Sequence, residues 1–250
     1  MATLEQTLAD MKKKFEEDPV SAVRGQGFIK LFHKYIANEL RGRLTPQAKR
    51  KGIEVIEEAK IFGSYKAKDV DVAVVDPTNG PLMLIGVRSQ MSSVGKNVLT
   101  YYQDIVGEAI SLQERFPMCV TGYAYVHPKT AWNKHTEQWN GTENINHRRY
   151  ARLYASISDR DDRLYKHQVG AYDHFAYSVI DFTSEPIRID EAIVESAVPK
   201  SEVDLSITTF IDRLVETFAK RNVWMDDVFT SPIAQLDDAA EAGDLEEIED

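Results

Sequence analysis

The stretch Glu57–Gln90 holds the residues best able to do chemistry. Asp71 sits inside a valine-rich run, Lys68-Asp-Val-Asp-Val-Ala-Val-Val-Asp76, with Asp69 two positions before it. An acid embedded in a hydrophobic strand is costly unless a cation or metal compensates it. Arg88 and Gln90 close the next apolar run, Pro81–Gln90. If the two runs pair, strand alternation puts Asp69 and Asp71 on one face, with Val70, Val72 and Val74 on the other. Arg88 and Gln90 share a face by the same rule, so one side of a sheet presents a carboxylate, a guanidinium and an amide together. Hard divalent cations such as Mg²⁺ take oxygen ligands, which carboxylates and an amide carbonyl supply. A cation beside developing negative charge stabilises a phosphoryl-transfer transition state.

The elements that must position these residues read from the hydrophobic periods. Leu4, Leu8, Met11 and Phe15 mark a helix over residues 1–18, stopped by Asp18-Pro19. Phe28, Leu31, Phe32, Tyr35, Ile36 and Leu40 mark a second amphipathic helix. Pro46 opens a third, carried through Ile53 and Ile56 to about Ala59. The period then changes to that of strands at 69–76 and 81–90, joined as an antiparallel hairpin by Pro77-Thr-Asn-Gly80. Asp76, before Pro77, reads as a turn residue. A helix over about 96–115, a buried strand at 118–126, a polar loop at 128–146, a charged helix at 148–165, a strand at 174–182 and a last helix at about 206–220 follow. The predicted fold class is α/β, a central mixed β-sheet flanked by helices in a single domain over 1–236.

An acid in one strand, a turn, and a second strand ending in acid–x–base is the signature of the PD-(D/E)xK nuclease superfamily, and residues 50–126 resemble its restriction-endonuclease-like core. The nuclease-like part of the domain is expected at about 50–182. Asp71 is similar to the first metal-binding acid, and Ile85-Gly-Val-Arg-Ser-Gln90 to the second strand. The resemblance implies a Mg²⁺-dependent (or Mn²⁺-dependent) DNA endonuclease of restriction type. Its metal is held by Asp71, Glu58 and Gln90, with Arg88 stabilising charge at the scissile phosphate. The sequence departs from the pattern at Gly86, where the second acid is expected, and at Arg88, where lysine is expected. Arginine keeps its proton and makes a poor base. Gln90, Glu58 or Glu54 from the preceding helix, or Asp104 and Glu108 at i, i+4 on the following helix, are the candidates to replace the acid. Taken alone, each of these acids on a helix is more often a solvated face than a ligand.

Two other readings come from the same residues. A nuclease-like domain that has lost its acid binds DNA or a partner protein without cutting. Alternatively, Phe62-Gly-Ser-Tyr-Lys-Ala-Lys-Asp-Val-Asp71 resembles a nucleotidyltransferase motif in which Asp69 and Asp71 are the metal pair, although only four residues separate Ser64 from Asp69.

Charge sharpens the partner question. The chain of 250 residues carries a net charge of −10, of which −8 falls between Asp237 and Asp250, leaving −2 for residues 1–236. The terminal segment 237–250 is expected to be disordered. Arg24–Lys51 holds eight bases against Glu39 alone, a balance suited to phosphates. His147-Arg-Arg-Tyr-Ala-Arg-Leu-Tyr154 interleaves bases with aromatics, which suits nucleic-acid contact and helix packing equally. Double-stranded DNA is the expected partner and a homodimer the expected form, since a palindromic site mirrors two-fold symmetry. The single cysteine, Cys119, excludes a disulfide framework and a cysteine-based zinc site. His33 stands alone, and the six histidines show no metal-ligand spacing. No phosphate-cradling glycine loop, dinucleotide fingerprint or hydrolase triad is evident. No apolar run is long enough to span a bilayer, and the N-terminus lacks an apolar signal core, so a cytoplasmic location is expected.

Overall fold

The computed structural model describes residues 2–25, 27–160 and 170–230. The expected tail at 237–250 and the end of the helix expected to reach residue 165 lie outside them. The chain runs α1 (Leu4–Glu17), α2 (Pro19–Gly25), α3 (Ile29–Arg43), α4 (Pro46–Arg50), β1 (Glu54–Phe62), β2 (Ala67–Asp76), β3 (Gly80–Ser89), α5 (Val94–Arg115), β4 (Val120–Pro128), α6 (His147–Ala155), β5 (His174–Asp181), β6 (Arg188–Ile189), α7 (Glu191–Glu195) and α8 (Phe210–Arg221).

The strands form one six-stranded mixed sheet in sequential order, β1-β2-β3-β4-β5-β6. β1, β2 and β3 are an antiparallel meander. The long helix α5 then carries the chain across to β4, which runs parallel to β3, and β5 runs parallel to β4. The fold is α/β, with helices on both faces of the sheet. On one face α1, α3 and α8 cover Val72, Val74, Ile85 and Val87 through Phe15, Phe32, Ile36, Leu40 and Phe210. On the other face α5 and α6 pack Val98, Ile105, Ala109 and Tyr154 against Tyr123, Tyr125, Phe175 and Tyr177.

The expected third helix is the main correction. Only Pro46–Arg50 is helical. Lys51 closes the helix, and Gly52 follows with φ +81°, a left-handed conformation that glycine adopts without a steric penalty. The β-branched residues Ile53, Val55 and Ile56 then lead into β1, which the sequence pattern had read as helix. Glu54 and Glu58 are therefore strand residues. In the second half of the chain, α6 ends at Ala155, and β6 and α7 add elements that periodicity did not reveal.

Strict alternation along β2 also fails. Val72 and Val74 pack under α3, but Val70 packs on the opposite face with Leu112 of α5. The neighbouring strand shows why. Glu58 has φ +54°, and Glu57 and Glu58 both turn toward α3, where Arg41 and His33 meet them. A left-handed residue inside a strand redirects the side chains that follow it.

Candidate metal centre

Asp71 lies where β2 parts from β3. The β2–β3 ladder stops at the pair Val72 and Ile85. Beyond it, the Val87 N–H that would have continued the ladder donates instead to Asp71 Oδ2, at 2.6 Å. Glu58 stands on β1 between the ladder pairs Glu57–Val72 and Ala59–Val70, hence beside Asp71. The third member comes from α3. His33 Nδ1 is 2.9 Å from Glu58 Oε1, and His33 Nε2 is 3.8 Å from Asp71 Oδ1. One ligand atom from each of His33, Glu58 and Asp71 falls within 4.8 Å of the others.

The burial gradient gives the cluster a floor and a mouth. The His33 side chain is 3% exposed, Asp71 23% and Glu58 43%. Lys30 on the α3 surface closes the rim, 3.6 Å from Glu58 Oε2. His33 Nε2 is buried and has no hydrogen-bond partner among the described residues, so it is open to a group from outside. Burial raises the Asp71 pKa above its usual value; the neighbouring His33 and the Val87 N–H oppose the shift, and Glu58 adds to it. An imidazole and two carboxylates converging at a partly exposed cluster are a donor set for a divalent cation, and the residues present fit one.

The sequence-predicted residues divide. Asp71 and Glu58 come together. Arg88 does not join them: it lies over the Tyr101 ring on the α5 side of the sheet, 4.4 Å from its centroid, and no ion pair links it to Asp71. Gln90 fastens the loop after β3, its Nε2 donating to Ser93 O at 2.7 Å, and its Oε1 is buried without a hydrogen-bond partner among the described residues. Asp69 is exposed and takes no part in the cluster. Asp104 is exposed on α5, and Glu108 is tied to Lys68 at 2.6 Å. Asp76 accepts from Thr78 N and Asn79 Nδ2, as a turn residue does. Ser64 lies in the turn between β1 and β2, its N–H donating to Ser111 O at 2.9 Å.

The absence of an acid at residue 86 has a steric reason. A Cβ at Gly86 would stand 2.5 Å from the Tyr123 ring, so that place is taken by an aromatic face. Spacing among the histidines carries no sign of His33. The available signal was different: Ile29, Phe32, His33, Ile36, Ala37 and Leu40 are the buried stripe of α3, and a histidine within such a stripe needs a polar partner beneath it.

The basic segment is partly neutralised. Arg41 pairs with Glu57, Arg43 with Glu39 and Asp212, and Lys51 with Asp227, whereas Lys34, Lys49 and Arg50 are exposed with no ion pair among the described residues. On α6, Tyr150 and Tyr154 are core residues, while Arg148, Arg149 and Arg152 face outward. No helix among the described residues is long and apolar enough to cross a membrane.

The fold and site together define an α/β sheet protein with a carboxylate–imidazole cluster at a strand divergence. Comparison with protein-family models, curated proteins and solved structures finds no match to this chain.

Proposed function

We propose that this protein is a metal-dependent endonuclease that hydrolyses phosphodiester bonds in DNA, with His33, Glu58 and Asp71 holding the metal. The observation that carries the reading is their convergence at the point where β2 leaves β3. The order of elements supports it: an antiparallel meander, a crossover helix and a parallel strand, with the acids on the meander, is the arrangement the nuclease resemblance calls for. The outward arginines of α6 and the free bases Lys34, Lys49 and Arg50 offer charge for a phosphate backbone.

A divalent cation in this pocket supplies Lewis-acid polarisation of a phosphoryl oxygen. His33 makes the donor set softer than oxygen ligands alone, so Mn²⁺ is favoured over Mg²⁺. Asp71 is held in place by the Val87 N–H, and Glu58 by His33. A cytoplasmic homodimer is the form that the restriction-type reading carries with it.

One observation favours a second reading, a nuclease-like domain that binds DNA without cutting. Gly86 supplies no acid, and Arg88 is turned to the other face. Incubating plasmid DNA with the protein in Mn²⁺, Mg²⁺ or EDTA, beside Asp71→Asn, decides between them. Metal-dependent cutting that disappears in the variant supports the nuclease. A metal-independent gel shift with no cutting transfers the assignment to the binding domain.

A further inference from the structure

The tip of the β1–β2 hairpin combines exposed aromatics with bases unpaired among the described residues. Phe62 is 60% exposed and Tyr65 70%, two large aromatics within four residues of each other with their rings in solvent. Residues 59–68 hold Lys60, Lys66 and Lys68 and no acid. Lys68 is tied to Glu108, but Lys60 and Lys66 are exposed and form no ion pair among the described residues. An exposed phenylalanine gains nothing for the fold.

The tip is also rigid. Ser64 N–H donates to Ser111 O at 2.9 Å, Tyr65 N–H to Ser111 Oγ at 3.2 Å, and Gly63 N–H to Lys66 O at 3.0 Å. A Cβ at Gly63 would stand 2.4 Å from Ser111 Oγ, so glycine is what lets the turn lie down on α5. Glu114 of α5 faces the Tyr65 hydroxyl and raises its pKa. The backbone that carries the two aromatics is thus pinned to α5, which lowers the entropic cost of ordering this turn on binding.

We infer that this tip is a binding surface for unpaired nucleotides, with Phe62 and Tyr65 as stacking platforms and Lys60 and Lys66 on the flanking phosphates. The inference deepens the nuclease reading by naming the substrate form, and it rests on that reading for the surface's role in cutting. Exposed aromatics interleaved with bases are the chemistry that holds single strands, since a base can stack on a side chain only when it has left its duplex partner. The placement is apt. Phe62 is four strand residues from Glu58, roughly 13 Å at the usual rise. That is about four stacked nucleotides from the metal pocket. The nucleic acid then runs from the tip down the meander to Asp71, and the preferred substrate carries a single-stranded segment next to the cut.

The test is fluorescence anisotropy in EDTA, with a labelled single-stranded oligonucleotide of mixed sequence and the blunt duplex of the same sequence. Wild type is expected to bind the single strand more tightly. Phe62→Ala/Tyr65→Ala, both at exposed sites, is expected to lose about 10- to 100-fold on the single strand and little on the duplex. Lys60→Gln/Lys66→Gln is expected to weaken both and to flatten the salt dependence by about one to two charges. Unchanged single-strand binding by the aromatic double variant overturns the inference, as does wild type that binds no single strand. The two readings fail separately. Cutting that needs Asp71 alongside tip-independent binding leaves the nuclease and removes this surface. Tip-dependent binding without any metal-dependent cutting keeps the surface and removes the nuclease.

Discussion

Asp71 and Asp173 are both aspartates drawn into the protein beside a strand, and their surroundings are opposite in kind. Asp173 is fully buried, and its charge is met on every side. Thr121 donates to it through N–H at 2.6 Å and Oγ1 at 3.1 Å, Arg221 donates through both terminal nitrogens, and Arg160 Nε lies 3.2 Å away. That is a bidentate, charge-assisted structural pair joining β4, β5 and α8. Asp71 receives one backbone N–H and faces an imidazole, with no lysine or arginine among the described residues within 4.0 Å. A carboxylate that the fold has saturated holds elements together. One that it leaves undersatisfied, beside a second carboxylate and an orphaned ring nitrogen, is poised for something brought from outside.

Removing each acid separates these roles most sharply. Asp173→Ala removes the carboxylate that two buried guanidinium groups share and is expected to cost about 3–5 kcal/mol. Urea unfolding reads this as a lower midpoint at constant slope. Asp71→Asn keeps an acceptor for the Val87 N–H and removes a poorly compensated charge. It is expected to leave stability unchanged or higher at neutral pH, while metal-dependent cutting falls below detection. If Asp71→Asn unfolds the protein as Asp173→Ala does, Asp71 is structural and the contrast collapses.

The next largest effect is metal uptake. A cation that binds only the folded site at a hundred times its Kd stabilises the fold by about 2.7 kcal/mol. For a chain of this size that is about 5–10 °C in Tm. Differential scanning calorimetry with Mn²⁺ is expected to show this shift for wild type and to lose it in His33→Ala and in Asp71→Asn. Mg²⁺ is expected to need roughly tenfold higher concentration than Mn²⁺, because one donor is an imidazole nitrogen. A shift that survives His33→Ala places the cation elsewhere.

Gly86 tests why the acidic half of the nuclease pattern is absent. Gly86→Ala pushes a methyl into the Tyr123 ring, and overpacking of this sort costs about 1–3 kcal/mol. Chemical denaturation that finds no loss would mean that Tyr123 yields, and that an acid at this position is sterically open after all.

The contrast between the two aspartates also shows what could be read from sequence. The β2–β3 hairpin and α5 were legible because their periods are long and their turns carry Pro-Thr-Asn-Gly and a small-residue loop. Asp71 was legible because an acid in a valine run contradicts its surroundings. β1 was not, since Pro46 begins a real helix and the apolar residues after it fit either period until Gly52 is recognised as the stop. With β1 read as helix, Glu58 could be named only as a distant candidate. His33 could not be joined to it at all, because the two stand 25 positions apart with α4 between their elements. The side-chain reversal at Glu58 is a backbone event at a non-glycine residue, with no signature in composition. Arg88 and Gln90 were grouped with Asp71 by alternation, which holds along β3 but breaks on β2 where the strands part.

The smallest expected effect is the pH dependence of the Asp71 penalty, and its sign is fixed by the direction of the shift. Burial raises the folded-state pKa above the ordinary 3.8. Between those two values the folded protein holds a proton that the unfolded chain has released, so stability falls as pH rises through this interval. Above the raised pKa the deficit is complete; below 3.8 both states are protonated and it vanishes. The stability advantage of Asp71→Asn over wild type is therefore expected to be greatest at neutral pH and to close as pH falls. Saturating Mn²⁺ reverses the comparison. The cation binds the carboxylate form only, so wild type then gains stability with rising pH while the variant does not. Parallel urea titrations across the acid range, with and without Mn²⁺, measure both slopes. An Asp71→Asn advantage that grows as pH falls would show the Asp71 carboxylate to be stabilised by the fold and would remove the ground on which the metal centre rests.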